Sequence, residues 1–74
     1  MYVLHSISPR GVEKESFPRS TKKLAAAVAA YTLYFSEGLS KKVASQFATT
    51  VEGAPLGTKC EHPSGYVFWI QEED

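Results

Sequence analysis

Residues 20–52 read STKKLAAAVAAYTLYFSEGLSKKVASQFATTVE, and this stretch decides the fold. Five alanines lie between positions 25 and 30, and alanine has the highest intrinsic helix propensity of all residues. The larger apolar residues recur at the spacing of one helix face, at Leu24, Val28, Tyr31 and Phe35. The first half of the stretch therefore predicts a helix that carries an apolar stripe.

A second helix is expected after a short turn at residues 37–40. Gly38 is placed to end the first helix, because glycine adopts the left-handed backbone conformation at little cost. Ser40 is a favourable cap for the next helix. Apolar residues then recur along one face, at Val43, Phe47 and Val51. The whole stretch therefore predicts a helical hairpin.

Strand-like segments flank the hairpin on both sides. Residues 2–7 alternate between two faces, and residues 66–71 are the strongest strand candidate because aromatic and β-branched residues dominate there. Residues 58–61 predict a short strand that a four-residue turn joins to the last one. Residues 12–17 are rich in charge, so they predict either a weak strand at an edge of the sheet or an extended loop.

The order of these segments predicts a single α+β domain over residues 1–74. We expect a small antiparallel sheet of three or four strands, with the two-helix hairpin packed on one of its faces. The elements follow the order β-β-α-α-β-β, with the second strand weak. A chain of 74 residues builds one modest core, because so short a chain buries little of its surface.

Charge and cysteine content limit the range of functions. Eight basic and eight acidic residues give a net charge of zero, which argues against nonspecific binding to nucleic acid or to a membrane surface. Cys60 is the single cysteine, so no internal disulfide forms, as is typical of a reducing cytoplasmic setting. No signal peptide is recognisable, and the alanine-rich run is too short to span a bilayer. We therefore expect a cytoplasmic protein.

Signals for catalysis and metal binding are weak. Cys60 and His62 would share one face of a strand, but a cysteine nucleophile also needs an oxyanion site, and no third element is recognisable. A zinc site needs about four ligands, whereas Cys60, His5 and His62 supply three without motif spacing. The sequence therefore predicts that the protein is not an enzyme and holds no cofactor or metal.

Residues 37–48, EGLSKKVASQFA, resemble the turn and recognition helix of helix-turn-helix repressors. The resemblance implies a DNA-binding protein in which the second helix enters the major groove. The residues facing the DNA would be Ser40, Lys41, Lys42, Ser45 and Gln46. Such motifs prefer a small residue where this chain has Tyr34. Together with the zero net charge, this departure ranks DNA below a protein as the partner.

The last strand is apolar on both of its faces, whereas two helices cover only one face of a small sheet. The sequence therefore predicts a second apolar face that no helix covers. Tyr66, Phe68 and Ile70 form the larger apolar set and are expected to face the helices. Val67 and Trp69 then point away from them. The alternative places Trp69 in the core and the triplet outside.

This second apolar face predicts a binding surface for another protein. Tryptophan is enriched among residues that dominate the free energy of binding. If the first and last strands are neighbours, the surface comprises Trp69, Val67, Tyr2 and Leu4. We therefore expect a small non-enzymatic regulator, an inhibitor or adaptor that contacts a protein partner or a second copy of the chain. In size and composition it resembles accessory proteins of phages and mobile elements.

Overall fold

The computed structural model describes residues 1–73 and has the α+β architecture that the sequence predicts. The elements are β1 Tyr2–Ile7, β2 Glu13–Glu15, α1 Lys22–Glu37, α2 Lys41–Gly53, β3 Cys60–Glu61 and β4 Val67–Glu72. The strands form one antiparallel sheet in the order β2-β1-β4-β3. The helices pack against each other and onto one face of the sheet, with α1 over β1 and β4 and α2 over β4.

β1 and β4 form the centre of the sheet and pair over their whole length. Leu4 lies opposite Ile70, and His5 lies opposite Trp69. Both strands are rich in β-branched and aromatic residues, which pack well on a half-buried pleated surface. β2, which the sequence predicts as a weak edge strand, forms over Glu13–Glu15 at one edge. Its charged side chains discourage pairing with a further strand.

Hydroxyl caps and one glycine define the ends of the helices. The Thr21 hydroxyl accepts a hydrogen bond from the Leu24 N–H at 3.1 Å, and the Ser40 hydroxyl accepts one from the Val43 N–H at 3.2 Å. These bonds satisfy backbone donors that have no partner within the helix. Gly38 has a φ of 67°, which is the left-handed conformation expected from the sequence. The hairpin therefore turns where the sequence predicts.

The buried face of α1 consists of alanines and one leucine. Ala25, Ala29 and Leu33 are each 0% exposed. Two aromatic residues of the apolar stripe, Tyr31 and Phe35, are instead 64% and 75% exposed. Small side chains let α1 approach the sheet and α2 closely, and dense interiors favour such contact. The aromatic stripe is consequently left on the outside of the hairpin.

The sheet supplies the large side chains of the core. Phe68 is 0% exposed, while Leu4 and Ile70 are each 2% exposed. Tyr66 packs against the same cluster. The set Tyr66, Phe68 and Ile70 therefore faces the helices, in the orientation that the sequence analysis favours.

Replacing Gly38 by alanine is expected to lower the free energy of unfolding by about 1–2 kcal/mol, because a Cβ is disfavoured in the left-handed region. A Cβ at Gly38 meets no atom within 4 Å, so the loss reflects the backbone conformation alone. Gly53 is the matched control. A Cβ there also meets no atom within 4 Å, and the φ of Gly53 is not positive. Gly53→Ala should be neutral or slightly stabilising. Urea denaturation compares the two variants, and equal midpoints would contradict this role for Gly38.

Candidate functional site

The face of the sheet opposite the helices carries the side chains that alternate with the core residues. We call this set the sheet surface; it comprises Val3, His5, Ile7, Val67 and Trp69. Val3 is buried, and the other four are half-buried. No helix of residues 1–73 packs on this face, because both helices cover the side of Phe68.

Tyr2 and Leu4 do not belong to the sheet surface, so their expected grouping with Trp69 is wrong. Leu4 pairs with Ile70 and lies in the core beneath the helices. Tyr2 is two residues away on the same face and packs against the same cluster. β1 does neighbour β4, but the register brings the odd-numbered residues of β1 beside Trp69. The sequence analysis treated the pairing of these two strands as a condition and did not predict its register.

Trp69 is held between side chains from the two segments that flank β4. Its ring system stacks on the His5 imidazole, with a centroid distance of 5.3 Å and an interplanar angle of 7°. The Lys59 ammonium lies 4.9 Å from the Trp69 ring centroid, within the range of a cation–π contact. The indole is therefore fixed in orientation on a surface that no helix covers.

One carboxylate holds His5 by a hydrogen bond, and a second carboxylate lies near its ring. The His5 Nε2 atom lies 2.9 Å from the Glu73 carboxylate, which only accepts hydrogen bonds, so Nε2 donates. The His5 Nδ1 atom lies 3.6 Å from a Glu15 carboxylate oxygen. The His5 side chain is 17% exposed, whereas Glu15 and Glu73 are 66% and 45% exposed. Both carboxylates thus remain open to solvent, and that of Glu73 holds the imidazole that stacks on Trp69.

The strand register places four glutamates on the same side as Trp69. We call them the acidic rim; it comprises Glu13, Glu15, Glu61 and Glu73. All four are exposed, and they outnumber the single ammonium group beside the indole, that of Lys59. An apolar centre bordered by carboxylates repels phosphate groups and attracts a basic protein surface.

The acidic rim was not found from the sequence. Its members come from three separate segments of the chain, and three of them lie in segments that read only as charged or terminal. The signal that could have revealed it is the alternation of β1 and β4 extended to their neighbours. That alternation becomes useful only once the register between strands is known.

Cys60 and His62 have separate partners in the structure. The Cys60 thiol points to the Thr58 carbonyl at 3.7 Å. The His62 Nδ1 atom accepts a hydrogen bond from the Ser64 N–H at 3.0 Å, and its ring packs edge-on against Phe47 at 4.8 Å. Among residues 1–73, no three His, Cys, Asp or Glu side chains are placed to hold a metal ion together.

The residues selected by the helix-turn-helix resemblance lie together at the start of α2. All are exposed: Ser40, Lys41, Lys42, Ser45 and Gln46. The Ser40 hydroxyl is engaged in capping the helix. The Lys41 ammonium lies 5.8 Å from the Tyr34 ring centroid. Two members of the set therefore already have contacts within the chain.

A second apolar region lies on the outside of the hairpin. We call it the helix surface; it comprises Ala27, Ala30, Tyr31, Tyr34 and Phe35 of α1 with Lys41 and Ser45 of α2. These residues border a groove of about 550 Å³. The Phe35 ring stacks with Tyr31 at 6.4 Å and meets Tyr34 edge-on at 4.9 Å. Three aromatic rings thus form one continuous exposed cluster.

A larger cleft of about 730 Å³ separates the β1–β2 hairpin from α1. Three of the hydroxyl groups that line it bond to the backbone around it. The Ser8 hydroxyl accepts from the Val12 N–H at 3.1 Å, and the Ser16 hydroxyl accepts from the Leu4 N–H at 3.0 Å. The Thr32 hydroxyl donates to its own helix. These three hydroxyl groups therefore stabilise the fold around the cleft.

No family model, curated protein or solved structure matches this chain. The candidate surfaces therefore rest on the geometry and charge of the chain itself. Within residues 1–73, neither helix combines the length and the apolar content needed to cross a membrane.

Proposed function

We propose that the protein is a small non-catalytic regulator, an inhibitor or adaptor that acts by binding a partner protein through its sheet surface. The observation that carries the proposal is the ordered indole of Trp69 on the uncovered face of the sheet, surrounded by the acidic rim. An aromatic anchor with a charged border is the usual arrangement of a binding hot spot.

The charge of the acidic rim indicates the kind of partner. Glu13 and Glu61 are exposed on opposite edges of the sheet, so a bound protein meets carboxylates on both sides of the indole. A partner with an exposed basic surface would associate faster at low ionic strength, because opposite charges steer the encounter. The chain as a whole is neutral, so this attraction is confined to one face.

Truncation of Trp69 tests the proposal directly. Trp69→Ala is expected to weaken partner binding by about 2 kcal/mol or more, roughly 30-fold, because a central aromatic anchor is removed. The partner is first captured from a lysate of the source cells on immobilised wild-type protein. It is then purified, and its dissociation constant for each variant is measured by titration calorimetry.

The matched control is Leu56→Ala, which removes another exposed apolar side chain, 43% exposed, from a loop outside the sheet surface. It should bind as the wild type does. Glu13→Gln with Glu61→Gln should slow association and reduce its salt dependence. Equal affinities for wild type and a folded Trp69→Ala variant would contradict the proposal.

Duplex DNA is the alternative partner and is tested in parallel. The zero net charge of the chain leads us to expect no retention of a duplex by the wild type at physiological salt. Retention that disappears in Lys41→Ala with Lys42→Ala would assign the function to the start of α2 instead, since phosphate contacts by lysine make binding salt-dependent.

A further inference from the structure

We propose that two copies of this chain form a two-fold dimer through the helix surface, with their α1 helices antiparallel. The exposed aromatic cluster motivates the proposal. Tyr31 and Phe35 are 64% and 75% exposed, and Tyr34 is 36% exposed, although all three stand on the same helix. The largest contiguous apolar patch on a protein surface is often functional.

The helix surface is complementary to itself in shape. Large rings stand at its centre, and the groove beside them is bordered by Ala27 and Ala30. In a two-fold contact the same patch is used by both copies, so a ring of each copy meets the groove of the other. With the axis near Ala30, Tyr34 of one copy lies against Ala27 of the second copy.

The exposed area comes close to what a specific contact requires. At roughly 200 Å² for each aromatic side chain, the three rings expose about 350 Å² in each copy. The intervening alanines, Lys41 and Ser45 extend the patch on both sides. Two such patches approach the roughly 1,000 Å² in total that a specific interface requires. We therefore expect a weak to moderate dimer.

Charges at the ends of α1 select the antiparallel arrangement. The helix has no acidic residue in its first turn and no basic residue in its last turn, so its charges oppose its own dipole. Lys22 is already engaged, since its ammonium donates to the Ala54 carbonyl at 2.6 Å. Lys23 and Glu37 are exposed at opposite ends, fourteen residues or nearly four turns apart, and therefore on nearly the same side.

Antiparallel pairing offsets the unfavourable charges at both ends of α1, the basic residues in its first turn and the acidic residue in its last turn. Lys23 of each copy comes beside Glu37 and the negative helix end of the second copy. The same axis near Ala30 that places Tyr34 against Ala27 also produces this charge pairing. Shape and charge thus indicate the same register. The zero net charge of the chain means that no overall repulsion opposes association.

Sedimentation measured at chain concentrations from micromolar to millimolar tests whether the dimer forms. The wild type is expected to shift from monomer to dimer within this range. Tyr31→Ala with Phe35→Ala should lower the association constant at least about 30-fold, because the aromatic anchors are lost. Leu56→Ala is the matched control and should associate as the wild type does.

Charge reversal tests the register. Lys23→Glu and Glu37→Lys should each lower the association constant several-fold, and the two together should restore it. Each single change also complements the dipole of its own helix, so the monomer should not be destabilised. A wild type that stays monomeric throughout the series would overturn the proposal. Unchanged association of the folded double aromatic variant, or loss of association only in Trp69→Ala, would also overturn it.

Discussion

Phe68→Ala is expected to lower the free energy of unfolding by about 3–5 kcal/mol and to leave most molecules unfolded at room temperature. Phe68 is 0% exposed and is among the largest fully buried side chains. Its ring stacks with Tyr66 at 5.4 Å and lies 6.1 Å from Phe47 of α2. Its loss leaves a cavity between sheet and hairpin. A core this small supplies roughly 3–5 kcal/mol of stability in total.

Trp69→Ala is the matched control for this prediction, since Trp69 is the next residue and points to the opposite face. It should lose less stability than Phe68→Ala and keep a cooperative transition. Circular dichroism during thermal unfolding compares the two variants. A cooperative, wild-type-like transition for Phe68→Ala would show that the large side chains of the sheet do not form the core.

The architecture followed from local signals in the chain. Gly38 and Ser40 mark the hairpin turn by backbone preference and capping, which depend on neighbours in sequence. The alternation in residues 66–71 separated the buried set from Trp69 and Val67. The elements and their order could therefore be predicted, except that the sequence left open whether residues 12–17 form a strand or a loop.

The buried face of α1 could not be read from periodicity. Leu24, Tyr31 and Phe35 form a regular stripe and are exposed, yet the buried residues of the helix are Ala25, Ala26, Ala29 and Leu33. The preference for the alanine face depends on how closely the sheet and α2 approach, because packing density is a property of the assembled interior. Hydrophobicity along one helix does not contain this information.

The candidate site escaped prediction for a related reason. Trp69 was recognised from its own strand, but the residues that surround it come from other segments. His5 is fixed by the register of β1 against β4, and Glu61 by the two-residue β3. A shift of one residue in either pairing would move these side chains to the other face. The composition of the surface thus depends on long-range register.

The two proposed surfaces face opposite directions, because the helices cover only one face of the sheet. A dimer formed through the helix surface therefore leaves both copies of Trp69 accessible. Two such sites on one particle bind a multivalent partner more tightly than one site does, provided that the partner matches their spacing. Loss of the aromatic cluster should then weaken partner binding without any change at the sheet surface.

Leu33→Ala is expected to lower the free energy of unfolding by about 2–5 kcal/mol. Leu33 of α1 is 0% exposed and belongs to the core cluster. Leu24→Ala makes the same chemical change in the same helix, but Leu24 is 45% exposed, so its cost should stay within about 0.5 kcal/mol. Helix propensity changes equally in both variants, and the difference therefore measures burial alone. Urea denaturation followed by Trp69 fluorescence at low chain concentration keeps dimer formation out of the comparison. Equal losses for the two leucines, or a greater loss for Leu24→Ala, would show that α1 buries its apolar stripe and exposes its alanines.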